Sequence, residues 1–208
     1  FSLTVNNTND APILKHLSQT SSDEDKFFSY QLTATDVDHQ HTTDILTYTM
    51  SHGPAWLSIN ANGLLTGTPT NDDIGVNEFT VEVRDSAGAF DQKSFSLTIN
   101  NINDAPVLEP IDAKSVDEDT PFSFQLVATD VDFGDAQTYS GINLPNWLSI
   151  NEAGLMEGTP TNDDVGSYEI TAQVSDIAGA FDQKSFSLTV NNINDAPVLQ
   201  VPENLILT

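Results

Sequence analysis

The sequence predicts an all-β protein made of two tandem antiparallel β-sandwiches, each with seven short strands. Three observations predict it. Apolar and polar residues alternate through short runs, no window shows helical spacing, and nearly the whole pattern occurs twice, about ninety residues apart.

In "EFTVEV", Phe79, Val81 and Val83 alternate with Thr80 and Glu82, and in "SFSLTV", Phe186, Leu188 and Val190 alternate with Ser187 and Thr189. This is the period of a strand with one face buried. Counting such runs in the second copy places strands at roughly 107–115, 121–129, 137–142, 147–150, 154–157, 168–175 and 184–191. The copies are marked by a segment written three times: "NNTNDAPIL" from Asn6, and "NNINDAPVL" from Asn100 and again from Asn191. The repeats are therefore expected at 9–101 and 102–192. Residues 1–8 would close a preceding repeat, and 193–208 would open a following one. The chain begins in mid-pattern, since "FSLTVNN" at Phe1 returns as "FSLTINN" at Phe95 and "FSLTVNN" at Phe186, and it is expected to be a fragment of a longer protein.

The 208 residues are 38% hydrophobic, enough for packed cores. Six Lys and Arg face 31 Asp and Glu, giving a formal charge of −25, which disfavours nucleic acid and anionic membrane as partners and repels itself unless cations lie among the carboxylates. There is no cysteine, so neither disulfides nor thiolate metal sites staple the fold. No apolar stretch approaches the ~18 residues of a membrane span, so membrane insertion is not expected.

Seven strands of alternating direction bring the chain in at one pole and out at the other, and consecutive repeats are expected to be joined end to end. The same parity assigns each turn to a pole. At the downstream pole, acid is expected in Asp23–Asp25 and Asp117–Asp119, and in Asp72, Asp73, Asp163 and Asp164. At the upstream pole it falls in Asp36 and Asp38, Asp130 and Asp132, and at Asp85 and Asp176. Other turns, "SHGPAW", "NLPNW" and "NANG", carry none and "NEAG" only Glu152, so the acid is selective rather than spread over all turns. The linker places Asn103 and Asp104 between the two sets. Bare carboxylates about 4 Å apart repel by ~1 kcal/mol in water and by more where partly dry, which calls for a cation. Oxygen-only ligands suit a hard ion, and a mixture of carboxylate, Asn and backbone oxygens suits Ca²⁺ better than Mg²⁺.

The "NDAP" linkers, the "DED" turn, "ATDVD" and the D-x-x-G turn after the sixth strand together resemble tandem cadherin repeats. "GPAWLSINANGLLTGTPTND" and "LPNWLSINEAGLMEGTPTND" bring the chain closer to the dystroglycan-type cadherin-like domains of bacterial surface proteins. The resemblance covers nearly the whole chain. It implies Greek-key, Ig-like sandwiches and a calcium junction formed by Glu24 and Asp72, the linker residues Asn101, Asn103 and Asp104 with the carbonyls of Ile102 and Ala105, and Asp130, Asp132 and Asp176. Incomplete sites are implied at Asn9, Asp10, Asp36, Asp38 and Asp85, and at Glu118, Asp163, Asn194 and Asp195. Thr70 and Thr161 stand where cadherins carry the first acid of a pair, which argues for one or two ions rather than three.

Trp56 and Trp147 occupy the same place in "WLSIN" and read as core plugs rather than sugar platforms; Tyr48 and Tyr139 are left open. His39 and His41 read as a solvated loop insertion. No nucleophile–base arrangement recurs, so no enzyme is expected. The functional expectation is a calcium-stiffened spacer and interaction module of an extracellular bacterial adhesin, partnered by neighbouring repeats, with glycans or homophilic contacts as further partner classes. The alternative is a calcium-dependent carbohydrate-binding module.

Overall fold

In a computed structural model, which describes residues 1–4, 6–38 and 45–199, the alternating runs become strands with one face in a core. His39 and His41 lie outside the described residues. The chain divides into two compact units, Phe1–Ile102 and Asn103–Thr208.

The first unit contains β1 (Ile13–Leu14), β2 (Ser21–Asp23), β3 (Phe28–Gln31), β4 (Ala34–Thr35), β5 (Thr47–His52), β6 (Ser58–Ile59), β7 (Leu64–Gly67), β8 (Gly75–Arg84) and β9 (Phe90–Asn100). One sheet has the order β2-β9-β8-β5, with β2 parallel to β9; the other side consists of β3-β7-β6 and the short pair β1-β4. The second unit repeats the plan with β10 (Val107–Leu108), β11 (Lys114–Asp117), β12 (Phe122–Gln125), β13 (Ala128–Thr129), β14 (Thr138–Ile142), β15 (Leu148–Ile150), β16 (Leu155–Gly158), β17 (Gly166–Ser175) and β18 (Phe181–Asn191). Its sheets run β11-β18-β17-β14 and β12-β16-β15, with the pair β10-β13.

Two predicted strands are each broken in two. The expected strand at 107–115 becomes β10, antiparallel to β13, and β11, parallel to β18, because its halves serve opposite sheets across the "EPID" segment, where Pro110 has no N–H to offer. The strand at 121–129 becomes β12 and β13, which hand the pairing over from β16 to β10. The backbone stays bonded across that break, with Leu126 N–H donating to the Gly154 carbonyl and Glu109 N–H to the Val127 carbonyl, both at 2.9 Å.

The alternation predicts the cores correctly. Phe79, Val81, Val83, Phe95, Leu97 and Ile99 of β8 and β9 are buried together, as are Ile170, Ala172, Val174, Phe186, Leu188 and Val190 of β17 and β18. Trp56 and Trp147 pack on the rims of these cores, edge-on to Phe28 at 6.0 Å and Phe122 at 6.3 Å. Their carbonyls explain the glycine of "GTP". A Cβ on Gly67 would lie 2.0 Å from the Trp56 oxygen, and one on Gly158 would lie 2.0 Å from the Trp147 oxygen. Tyr48 and Tyr139 lie under Gly63 and Gly154, whose positive φ of 84° turns the chain tightly over each ring.

The two-residue opening strand is too short to be held by its ladder alone. The "FDQK" motif supplies a clamp. Asp91 accepts the Leu14 N–H at 2.8 Å while Lys93 donates to the Leu14 carbonyl; Asp182 accepts the Leu108 N–H at 3.0 Å and pairs with Lys184 at 2.9 Å. The Lys184 ammonium, helped by the Leu108 amide, holds the Asp182 carboxyl below the usual range against the opposing effect of burial.

Candidate metal centres at the poles of each repeat

The upstream pole of each unit is built from three loops in the same way. In "DVD" the backbone turns back on its first carboxylate: Asp38 N–H donates to Asp36 Oδ1 at 2.9 Å and Asp132 N–H to Asp130 Oδ1 at 3.0 Å. The second carboxylate then reads the linker, with Asp38 Oδ2 accepting the Asp10 N–H at 2.6 Å and Asp132 Oδ2 the Asp104 N–H at 2.7 Å. The D-x-x-G turn contributes the third carboxylate. Asp85 Oδ1 accepts the Ala89 N–H, and Asp176 Oδ1 accepts the N–H groups of Gly179 and Ala180. Their Oδ2 atoms accept the side-chain amides of Asn9 at 2.9 Å and Asn103 at 2.8 Å. The Asn103 amide, reinforced by the turn amides and opposed by desolvation, lowers the Asp176 pKa. An Asn-Asp pair at this place is thus bonded by two separate loops of its own unit, which is why the segment repeats with so little change.

The downstream pole rests on the glutamate of "DED". Glu24 N–H donates to the Asn100 carbonyl at 3.1 Å and Glu118 N–H to the Asn191 carbonyl at 3.0 Å, tying the first turn to the end of the last strand. Glu24 Oε1 accepts the Ile102 N–H at 2.7 Å, and Glu118 Oε1 accepts the Ile193 N–H at 2.6 Å. Asp25 and Asp119, in the left-handed region at φ 54° and 57°, each donate an N–H at 2.8 Å to the Pro69 or Pro160 carbonyl. The first and fifth turns therefore share a pole, as strand parity predicts.

Carboxylates buried without countercharge are costly. Glu24 is 1% exposed, Glu118 3%, Asp38 3%, Asp85 5%, Asp132 6% and Asp176 7%. The ion pairs run from Lys26, Arg84, Lys93 and Lys184 to Asp23, Glu82, Asp91 and Asp182. Among the described residues, none reaches Glu24, Asp85, Glu118, Asp132 or Asp176. One pattern recurs: a carboxylate has one oxygen fixed by a backbone amide and the other buried with no hydrogen-bond donor. It holds for Glu24 Oε2, Asp36 Oδ2, Glu118 Oε2, Asp130 Oδ2 and Asp132 Oδ1. In the second unit, carboxylate oxygens of Asp130, Asp135 and Asp176 lie within 4.8 Å of one another. Burial, followed by the charges of Asp132, Asp130 and Asp176, pushes the Asp135 carboxyl above its usual range. These orphaned oxygens and the all-oxygen donor set fit a hard divalent cation, and Ca²⁺ in particular.

Asp135 was not among the residues expected from sequence. A signal for it existed: an Asp stands four residues before Tyr139, as Asp44 does before Tyr48, just after the length difference between the copies. Asp72 and Asp163 are exposed on single 3₁₀ turns, Asn71–Asp73 and Asn162–Asp164. On those turns Asp73 and Asp164 accept bonds from the backbone and hydroxyl of Thr70 and Thr161. The residue of the second turn that reaches the linker is Asn162, whose amide donates to Asp195 at 3.2 Å. Asn101, Ala105 and Asn194 are exposed; Asn194 bonds the Asp195 carbonyl at 3.3 Å.

The chain belongs to the immunoglobulin-like family described as "Putative Ig domain" (He_PIG), which matches residues 11–100 and 105–191. It is 31% identical over 169 residues to the "Serine-rich adhesin for platelets" of Staphylococcus aureus, across 79% of this chain and 7% of that protein. The same adhesin from strain MRSA252 is matched at 31% identity over 12% of its length. The chain thus spans only a small part of these relatives. Among solved structures it is similar to mouse cadherin-23 repeats EC22–24, with TM-score 0.59, 18% identity and coverage of 89% of this chain and 67% of that one. It is also similar to human protocadherin-24 EC1–2, with TM-score 0.58, 20% identity and coverage of 88% and 99%. These likenesses establish the tandem Ig-like and cadherin-like fold. No helix among the described residues is long and apolar enough to cross a membrane.

Proposed function

We propose that this chain is a pair of calcium-binding spacer and interaction repeats, of the dystroglycan-type cadherin-like class, from an extracellular bacterial adhesin. The observation that carries this reading is the half-satisfied buried carboxylate, above all Glu118, 3% exposed with Oε1 on the Ile193 amide and Oε2 without a donor. Calcium would be held at the upstream pole by Asp130, Asp135 and Asp176 with Asp132, and by Asp36, Asp38 and Asp85 in the first repeat; at the downstream poles Glu24 and Glu118 would contribute. The repeats are taken as 9–101 and 102–192. When bound, the ion supplies positive charge to the carboxylates around it.

The consequence is mechanical. Glu24 holds the amide of Ile102, while Asp176 and Asp132 hold Asn103 and Asp104, so consecutive linker residues are tied to carboxylates that need the metal. Loading stiffens the chain there. Extracellular calcium modules bind at ~10⁻⁴–10⁻³ M, so external calcium fills them and cytosolic calcium does not. An adhesin built of such repeats is pliable during export and stiff outside. Calorimetric titration of the chain with calcium should show binding in that range, and Asp130→Asn should weaken it by about tenfold, on the order of 1.4 kcal/mol. Absence of binding, or identical binding by the variant, counts against the reading.

A further inference from the structure

We propose that the Asn62–Gly63 step, in the turn between β6 and β7, is a site of spontaneous covalent modification: deamidation to aspartate and isoaspartate, which the folded turn guards and unfolding of the first repeat releases. It is the one Asn-Gly pair in the chain. The Gly63 nitrogen attacks Asn62 Cγ and closes a cyclic imide, while the Cγ–Nδ2 bond breaks and ammonia leaves with the proton that the Gly63 nitrogen gives up. Water then opens the imide. Attack at Cγ gives aspartate, and attack at the Asn62 backbone carbonyl carbon gives isoaspartate, whose main chain runs through the former side chain. Nothing is oxidised or reduced, and water is the only co-reactant. Glycine in the second position leaves the attacking nitrogen without a Cβ beside it and gives the backbone the freedom that ring closure needs.

One half of the reacting pair is free and the other is held. Asn62 is exposed, and its carboxamide makes no hydrogen bond among the described residues. The Gly63 N–H donates to the Asn60 carbonyl at 2.9 Å, and the Gly63 carbonyl accepts the Leu32 N–H at 2.9 Å. The Asn62 N–H donates to Asn60 Oδ1 at 3.0 Å, and the Asn62 carbonyl accepts the Gln31 amide at 2.7 Å. Attack requires the Gly63 amide to leave its bond and the Asn62 backbone to rotate, and these bonds oppose both. Packing opposes them too, because Gly63 is buried over Tyr48, so close that a Cβ would lie 3.1 Å from the ring. The reaction therefore follows the population of the opened turn.

The second repeat supplies a control. Its turn has the same bonds: Gly154 N–H to the Asn151 carbonyl at 2.9 Å, Ala153 N–H to Asn151 Oδ1 at 3.1 Å, and the Gln125 amide to the Ala153 carbonyl at 2.8 Å. Ala153 stands where the first repeat has Asn62, so this turn has the guard and no reactive side chain behind it. The consequence is asymmetric. Isoaspartate lengthens the main chain by a methylene and adds a carboxylate in a turn whose backbone is bonded on every side. A first repeat modified while open cannot re-form that turn, whereas the second repeat refolds unchanged.

The test is peptide mapping by mass spectrometry, with isoaspartyl methyltransferase labelling, of the 208-residue chain held with calcium in mildly alkaline buffer, either native or unfolded in urea. In urea, Asn62 should convert ahead of every other asparagine. In the native chain its conversion should be slower by about tenfold or more, as for a reaction that waits on opening. Asn62→Ala installs the residue that the second repeat carries in the same turn, and it should abolish this isoaspartate at an unchanged melting temperature. Ala153→Asn should create a second site with the same contrast between native and urea. Returned to native buffer, the isoaspartyl fraction of the parent should show the unfolding transition of the first repeat displaced downward and that of the second in place. Three results overturn the proposal: conversion of Asn62 in urea no faster than that of other asparagines, equal conversion in native buffer and in urea, or isoaspartyl chain that refolds with both transitions of the parent.

Discussion

Removing calcium should lower the melting temperature of this chain by roughly 10–20 °C, because a ligand at a hundredfold excess over Kd stabilises the folded state by ~2.7 kcal/mol per site and each kcal/mol is worth several degrees in a domain of this size. The effect arises at the buried carboxylates. Without an ion, Glu24, Glu118, Asp130 and Asp132 keep a buried oxygen that no donor satisfies, and Asp130, Asp135 and Asp176 repel one another within 4.8 Å. Binding removes both costs at once. Differential scanning calorimetry in calcium and in excess chelator measures the shift, and magnesium at the same concentration should restore much less of it, since that ion holds its water and demands octahedral geometry. A shift of only a degree or two would mean that the carboxylates are accommodated without metal.

The second large effect belongs to the fold and is independent of metal. Gly67→Ala and Gly158→Ala should each destabilise their own repeat by about 3 kcal/mol or more, since the new Cβ meets the backbone oxygen of the turn before β6 or β15 and the glycine's own strand, β7 or β16, cannot withdraw without breaking its ladder. The clash is 2.0 Å in both cases, with Trp56 O and Trp147 O. Gly88→Ala is the informative comparison. Its added Cβ meets nothing within 4 Å, although its φ of +96° carries a backbone cost of about 1 kcal/mol. Denaturant unfolding should show the midpoint of one repeat displaced strongly by each clashing substitution and only slightly by Gly88→Ala. Equal effects at all three positions would remove the tryptophan carbonyl from the explanation of the "GTP" motif.

Much of this was legible in the residues, for identifiable reasons. Alternation in "EFTVEV" and "SFSLTV" reports burial directly, so the cores of β8, β9, β17 and β18 follow from it. Strand parity places Glu118 beside the end of β18 and Asp132 beside the start of its repeat, and the observed bonds from Ile193 and Asp104 agree. What parity cannot give is partner choice within a sheet. The breaks between β10 and β11 and between β12 and β13 are changes of partner, and hydrophobic period carries no trace of them. Side-chain roles within an acidic turn were equally hidden. In "TPTNDD" both aspartates look like ligands, yet Asp164 is occupied in capping Thr161, Asp163 is exposed, and Asn162 is the residue that meets the linker. Asp135 escaped because it sits where the two copies differ in length and letter-by-letter alignment fails.

Comparing the copies also shows where sequence divergence carries information. The poles are written almost identically in both repeats, as expected for loops whose carboxylates each hold a backbone amide through one oxygen. The stretch between linker and first turn departs most, "KHLSQTSS" from Lys15 against "EPIDAKSV" from Glu109. Tyr48 and Tyr139, left open as sugar platforms in the sequence, pack in or against the cores under Gly63 and Gly154 and have no exposed strip to offer.

Anomalous scattering from crystals of this chain grown in calcium tests the central claim most directly. A calcium peak is predicted about 2.3–2.6 Å from carboxylate oxygens of Asp130, Asp135 and Asp176, the separation at which Ca²⁺ takes oxygen ligands. A map with no anomalous peak there, and with water or a lysine ammonium bonded to those oxygens instead, would contradict it.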